Sequence, residues 1–303
     1  AGKIVAALHF VQQEIRYLGM EDGIGSHRPR HAADTLYRRY GDCKDKTALL
    51  MALLKAMGLS PTAALVSLEQ GEALPNQQPS PYLFDHVIVT LLLDGKRIWL
   101  DGTELNQGDN LQTIAVPYLR YALLLEPGSS SLTPMDGDYR PSDVTARHEI
   151  WVQSDQNRLA VETQYQGQMA EQQRGQWLMA TPQSISRRFA DYYGRIYGDI
   201  ESIGVPTVVD DRQQNRLVMS EGYMTPGGER MVSEQGLDIY ADLLDNYLKD
   251  VDNNRTQPLM LNDPIRLQQE FLVHLPKAMQ IAPYHSSLDN AVFRFDMQVE
   301  PMG

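Results

Sequence analysis

Cysteine is nearly absent from this 303-residue sequence, which contains a single one, Cys43. A lone cysteine excludes an intramolecular disulfide, and it excludes a structural zinc site built from several thiolates. Cys43 is therefore a buried small residue, a free surface thiol or a nucleophile, and its surroundings in the sequence have to decide between these roles.

Net basic charge and long apolar runs are also missing. The chain has 27 Lys and Arg against 39 Asp and Glu, a net charge of −12 at pH 7, and acidic residues predominate in both halves. This balance argues against a nucleic-acid partner, which selects for a basic face. The longest apolar run, residues 87–93, is interrupted by Thr90 and is far below the ~18 residues of a membrane span. We therefore predict no nucleic acid as partner and no integral membrane span in this chain.

The beginning of the chain carries no signal peptide, since Ala1 leads directly into a helical pattern without an initiating Met. We interpret the sequence as a processed chain or an excerpt, with its targeting information missing.

What is present is an ordinary globular composition, 42% hydrophobic and 22% charged, with a length that suggests about two domains. Apolar residues at helical spacing predict helices over 3–18 and 43–57, and alternating or β-rich runs predict strands over 62–68, 86–93 and 96–100. A stretch rich in Gly, Ser, Pro and Asp at 126–143 divides this core, residues 1–135, from a second domain, residues 145–303.

The second domain has a different pattern. Alternating strands dominate it, at 147–153, 158–165, 204–210, 216–224, 265–274 and 291–299. Helices are predicted at 169–198, interrupted near Pro182, and at 237–248. The Arg- and Tyr-rich stretch 187–197 is interpreted as an amphipathic helix packed on the β structure. Because strands and helices do not alternate as βαβ units, the fold class is α+β, with a mainly β second domain.

Cys43 lies at the start of the strongest helix, directly after Asp42, a good N-cap residue. Unpaired N–H groups and a partial positive charge at a helix N-terminus favour thiolate over thiol, and the same amides can bind an oxyanion. An ordinary buried cysteine explains the position about equally well, since free cysteines are often buried.

His86 and Asp101 are placed together by a predicted hairpin. If Asp94-Gly95 forms a two-residue turn, Leu93 faces Lys96, and Ile88 then faces Asp101. His86 lies two residues from Ile88 and so shares its face, as a diagonal neighbour of Asp101 within side-chain reach. The carboxylate could orient the imidazole toward a thiol. A hairpin-end histidine and a turn aspartate is the equally weighted alternative.

The segments GDCKDKTALLMALLKAMG, FDHVIV and WLDGT together resemble the transglutaminase-like, papain-like superfamily of cysteine enzymes, most closely the bacterial transglutaminase-core proteins. The resemblance covers roughly residues 3–125. It implies a core in which a Cys-bearing helix packs on an antiparallel sheet. It also implies Cys43 as nucleophile, His86 as general base and acid, and Asp101 as the residue that orients His86. The sequence departs from the family in two respects. Gly102 stands where Pro is expected in close relatives, and the flanking N-terminal β domain of the family is missing, which is consistent with an excerpt.

The resemblance implies an acyl-transfer enzyme that acts on amide bonds of peptides or proteins, without cofactor or metal. Resolution of the thioester by water makes a peptidase or amidase, and resolution by an amine makes a transglutaminase. The same analogy places the protein outside the cytoplasm of a bacterium. The alternatives are a non-catalytic protein- or peptide-binding module on this scaffold, and zinc binding by Cys43 with His86, which is disfavoured by the small ligand set. Tyr17 could supply an extra oxyanion donor, although simple packing is the preferred interpretation.

Overall fold

A computed structural model describes the protein at residues 1–19, 27–135, 141–226, 232–233, 236–237, 239–247, 254–256 and 264–302. The helices are α1 (Gly2–Glu14), α2 (Ala32–Arg38), α3 (Cys43–Ala56), α4 (Gln168–Met179), α5 (Pro182–Tyr197) and α6 (Asp242–Tyr247). None of the helices in these ranges combines the length and apolarity that crossing a membrane requires.

The strands of the first half are β1 (Arg16–Tyr17), β2 (Tyr40–Gly41), β3 (Thr62–Val66), β4 (His86–Leu93), β5 (Lys96–Leu100), β6 (Tyr121–Leu124) and β7 (Thr133–Pro134). Those of the second half are β8 (Ser142–Trp151), β9 (Gln156–Gln166), β10 (Glu201–Ser202), β11 (Thr207–Asp211), β12 (Arg216–Pro226), β13 (Val232–Ser233), β14 (Gly236–Leu237), β15 (Ile265–His274), β16 (Tyr284–Asp289) and β17 (Arg294–Val299). The α+β class predicted from the sequence is confirmed.

The first half is an antiparallel sheet in the order β5-β4-β3-β6-β7 with helices on one face. Helices α1 and α3 pack together on this sheet, and their apolar stripes share a core with β4 and β5: Ile4, Leu8, Val11, Ile15, Leu49, Leu50, Leu54, Val89, Leu91 and Leu100. The alternating residues of the same strands, Ile88 and Trp99, join a second cluster with β3 and β6. Burial of both faces explains why β4 reads as a nearly continuous apolar run.

The second half is built on a larger sheet in the order β10-β12-β9-β8-β15, with β11 also paired to β12. Every pairing in it is antiparallel except that of β15 with β8, which is parallel. Helix α5 covers one face, where Tyr193 and Tyr197 are buried against Ile150, Val161 and Tyr223. The predicted packing of the 187–197 helix on β structure is therefore confirmed.

Several local expectations need correction. Helix α1 ends at Glu14 rather than at residue 18, because Ile15 is extended and the Arg16 amide hydrogen-bonds the Arg39 carbonyl at 2.8 Å, which starts a short parallel pair with β2. Strands β6 and β16 were not predicted. In the predicted helix at 237–248 only Asp242–Tyr247 is helical, and residues 238 and 248 lie outside the described residues.

Candidate active site

The helix that carries Cys43 begins as the sequence predicts. Asp42 is the N-cap, and its carboxylate accepts a hydrogen bond from the Asp45 amide at 3.0 Å. Gly41 is required just before it, since a Cβ there would come within 2.5 Å of the Asp45 Cβ. Asp45 is itself held by Arg30, whose amide and guanidinium donate to its two oxygens at 2.7 and 2.9 Å. This network fixes Cys43 in the first turn of α3.

The hairpin β4–β5 has the predicted register, with Leu93 opposite Lys96 and Val89 opposite Leu100. Asp94 and Gly95 both have positive φ, 51° and 79°, as a two-residue turn that matches strand twist requires. His86 opens β4, and Asp101 follows the end of β5. The two side chains therefore meet at the open end of the hairpin, as the arithmetic of the facing pairs predicted.

His86 and Asp101 form a short hydrogen bond, with 2.6 Å between Nε2 and Oδ2, and both side chains are almost completely buried. The other carboxylate oxygen of Asp101 accepts hydrogen bonds from the Thr103 amide at 2.8 Å and the Thr103 hydroxyl at 2.7 Å. Asp101 is thus held from two sides, and its orientation fixes the imidazole ring.

The charges of this pair support each other. Burial alone would lower the pKa of His86, but the hydrogen bond and negative charge of Asp101, together with its interaction with Cys43, raise that pKa to about 10. Burial alone would raise the pKa of Asp101, yet His86 and the two Thr103 hydrogen bonds outweigh it and bring the pKa below its ordinary value. Asp101 and Cys43 therefore favour the protonated form of His86 in the folded protein.

The structure brings all three predicted residues together. Cys43 is a free cysteine, 8% exposed, and it lies close enough to His86 to raise the pKa of the imidazole together with Asp101. Since Asp101 occupies Nε2 of His86, the remaining ring nitrogen is the one available to the sulfur. The order sulfur, imidazole, carboxylate is that of a nucleophile, its base and the group that orients the base.

An open cleft of about 300 Å³ adjoins this group. Its polar wall consists of His86, Asp101, Thr103 and Glu104, and Tyr17 and Leu68 are among its other lining residues. Tyr17 is 53% exposed, so it lies at the cleft rather than in the packed core. Cys43 is not among the residues that line the cleft.

Glu104 is a cleft residue that the sequence did not single out. Burial, together with the negative charges of Asp101 and Glu171, raises the pKa of its carboxyl to about 7 against the opposing effect of His86. The sequence signal is weak, because Glu104 lies in an irregular segment after β5 where an acidic residue is usually a solvated surface group.

Gly102, the departure from the family pattern, lies directly behind this wall. A Cβ at Gly102 would be 3.2 Å from Cγ1 of Val11 and 3.5 Å from Cβ of Lys46. The loop passes so close to α1 and α3 that a side chain there would need its neighbours to move.

Buried polar groups anchor the same segment from behind. The Gln12 amide donates to the Asp101 carbonyl and to the Gln107 side chain, each at 2.8 Å. Gln107 in turn donates to the Glu171 carboxylate at 3.3 Å. Gln12 continues the buried stripe of α1 one helical repeat after Leu8, and this periodicity is the signal that could have identified it.

The chain of hydrogen bonds continues into the second half of the protein. Glu171 accepts from the Ala115 amide at 3.1 Å and from the Asn215 side chain at 2.6 Å. Arg174 donates to the Asn106 carbonyl and pairs with Asp210 at 2.8 Å. The segment after Asp101 is therefore held between the two sheets, although residues 126–143 predict a boundary between separate domains.

Across the described ranges, no three His, Cys, Asp or Glu side chains converge in a way that could hold a metal ion. Zinc would have to bind His86 through the nitrogen that Asp101 leaves free, and Cys43 and His86 together supply only two ligands.

Comparisons with known proteins add little at this point. No family model and no curated protein matches the chain. A crystal structure from Parabacteroides distasonis, described as a "putative protease", is similar over 74% of this chain with 11% sequence identity and a TM-score of 0.38. This chain spans 45% of the length of that structure. A likeness this distant carries no argument about the site, so the roles of its residues depend on the geometry above.

Proposed function

We propose that the protein is a cysteine acyl-transfer enzyme of the transglutaminase-like type, acting on amide bonds of peptides or proteins. The observation that carries the proposal is the buried His86, bound through Nε2 to Asp101 at 2.6 Å and interacting with Cys43. Burial of an ion pair of this kind costs desolvation free energy, which hydrophobic residues in its place would avoid. Titrating groups with perturbed pKa values beside a cleft are typical of active sites.

In the proposed reaction His86 holds the proton of the Cys43 thiol as an imidazolium, and the resulting thiolate attacks the amide carbonyl. The backbone N–H of Cys43, unpaired at the start of α3, stabilises the oxyanion. His86 then delivers the proton to the departing amine, which leaves a thioester on Cys43. Water or a second amine, deprotonated by His86, resolves the thioester and restores the thiol. Asp101 holds the ring and stabilises its positive charge throughout.

The test uses the fact that every thiol reaction of this protein occurs at Cys43. Iodoacetamide labelling is measured by intact mass from pH 5 to 9 in the native protein, in His86→Ala and in the urea-unfolded chain. We expect the native protein to be labelled faster than the unfolded chain below pH 8, and this advantage to disappear in His86→Ala. Release of amine from a library of peptide amides should require both Cys43 and His86.

The second candidate is a binding module that keeps the scaffold without catalysis. The near-burial of Cys43 and its position outside the cleft wall favour it. A native protein that is labelled no faster than its unfolded chain, but binds peptides with an affinity unaffected by Cys43→Ala, would establish the module and exclude the enzyme.

A further inference from the structure

One carboxylate of the cleft is uncommitted. Glu104 lines the cleft beside His86 and Asp101, and within the described part of the chain its side chain has neither a hydrogen-bond donor nor an ion-pair partner. Its acidic neighbours differ in this respect. Asp101 is bound by His86 and Thr103, and Glu171 accepts hydrogen bonds from Ala115, Asn215 and Gln107. Glu104 is therefore the carboxylate that a bound molecule can engage.

A proton-transfer role for Glu104 does not fit the geometry. One nitrogen of the His86 ring is occupied by Asp101, and the other is the one available to Cys43. No position on the ring remains for a second carboxyl, so the path of the proton from the thiol does not include Glu104.

The rest of the cleft fits a positive group on an apolar stem. Tyr17 is among the lining residues, and an aromatic side chain attracts cations over its ring face. Leu68 and Pro117 add apolar surface that can cover methylene groups. A half-buried carboxylate between such surfaces gains more from an opposite charge than an exposed one, because less water screens it.

We propose that Glu104 is a specificity residue that binds a non-reacting cationic group of the substrate, an ammonium or guanidinium next to the bond that reacts. The inference depends on the function proposed above, because it assigns a substrate preference to the same cleft. In the unbound protein Glu104 is repelled by the negative charges of Asp101 and Glu171, and His86 opposes this repulsion. A bound cation offsets the same repulsion.

The first experiment measures the charge preference of the cleft without any knowledge of the substrate. Methanethiosulfonate reagents that carry a trimethylammonium, a hydroxyl or a sulfonate group are reacted with Cys43, and the cationic-to-anionic rate ratio is determined. We expect Glu104→Gln to lower this ratio about fivefold. Glu126→Gln is the matched control, since it removes the same charge from an exposed site.

The outcomes separate the two proposals. An unchanged ratio in Glu104→Gln, or an equal fall in Glu126→Gln, overturns the cation subsite, while faster native labelling by iodoacetamide leaves the enzyme proposal standing. If iodoacetamide labels the native protein no faster than the unfolded chain, the enzyme proposal is overturned instead. A far-UV circular dichroism spectrum of Glu104→Gln that matches that of the native protein shows that the variant is folded.

The second experiment identifies where the cation resides on the substrate. Three peptidyl vinyl sulfones are compared: N-blocked lysyl, N-blocked norleucyl and norleucyl with a free N-terminal ammonium. A side-chain cation predicts faster inactivation by the first, and an N-terminal cation predicts faster inactivation by the third. In either case Glu104→Gln abolishes the preference. Equal rates for all three in the native protein overturn the proposal.

Discussion

Replacement of Asp101 by Asn tests the ion pair on which the proposed chemistry depends. The variant keeps the shape of the side chain and removes its charge, 2.6 Å from the imidazole. The pKa of His86, about 10 in the folded protein against an ordinary 6.5, is held there against burial by Asp101 and Cys43 together. Removal of one opposite charge at this distance should lower it by about 1 to 3.

The assay is an NMR titration of the His86 ring proton, assigned by its absence in His86→Ala. Asp109→Asn is a matched control, because Asp109 lies 3.7 Å from a different histidine, His9. We expect a clear fall of the His86 pKa in Asp101→Asn and none in Asp109→Asn. A His86 pKa that is the same in Asp101→Asn as in the native protein would refute the assignment of Asp101 as the partner that charges the ring.

The same pair links stability to pH. Because the folded pKa of His86 lies above its unfolded value, its contribution is complete below about pH 6.5 and is lost as the pH rises toward about 10. The upper limit is about 5 kcal/mol, since each pKa unit corresponds to about 1.4 kcal/mol and Cys43 shares the interaction. Urea unfolding of the native protein and Asp101→Asn at pH 6 and pH 9.5 should show a smaller decline in the variant. Parallel declines would contradict this account.

Three further predictions concern stability. The pKa of Glu104 is raised to about 7, so ionisation of its carboxyl above that pH destabilises the folded state. Glu104→Gln should therefore raise the free energy of unfolding by about 1–3 kcal/mol at pH 8 and hardly at pH 5. Equal effects at both pH values would contradict this expectation. Gly41→Ala places a Cβ 2.5 Å from the Asp45 Cβ and should cost about 1–3 kcal/mol in urea unfolding, whereas Gly2→Ala, with open space around it, should cost nothing. Arg174→Ala removes the ion-pair partner of Asp210 and the hydrogen-bond donor to the Asn106 carbonyl. It should lower the free energy of unfolding by about 2–3 kcal/mol. A loss below about 0.5 kcal/mol, the size expected for an exposed ion pair, would show that the contact between the two halves is solvated.

Much of the site could be predicted from interactions between residues close together in the sequence. The N-cap at Asp42 and the register of the β4–β5 hairpin follow from side chains a few residues apart, and both are observed. The boundary of α1 was wrong for the opposite reason, since Arg16 pairs with a segment more than twenty residues away. The helical spacing of apolar residues contains no information about a backbone partner so far away in the sequence.

Glu104 and the Gln12–Gln107–Glu171 connection illustrate what a local pattern cannot predict. An acidic residue in a loop has the same signature whether it faces water or a cleft, and its pKa is set by neighbours from other elements. Gln107 and Glu171 are 64 residues apart in sequence, and only the packing of the two sheets brings them to 3.3 Å.

The sequence by itself determined the helix start at Cys43, the hairpin that pairs His86 with Asp101, and the α+β class, because caps, tight turns and hydrophobic period are short-range physics. Only the tertiary structure decided that the thiol, the ring and the carboxylate meet, that Cys43 is nearly buried, and that a free carboxylate lies in the adjoining cleft. Those features depend on how α3 docks on β4 and how the second half holds the segment after Asp101, and long-range packing of this kind leaves no periodic trace in the chain.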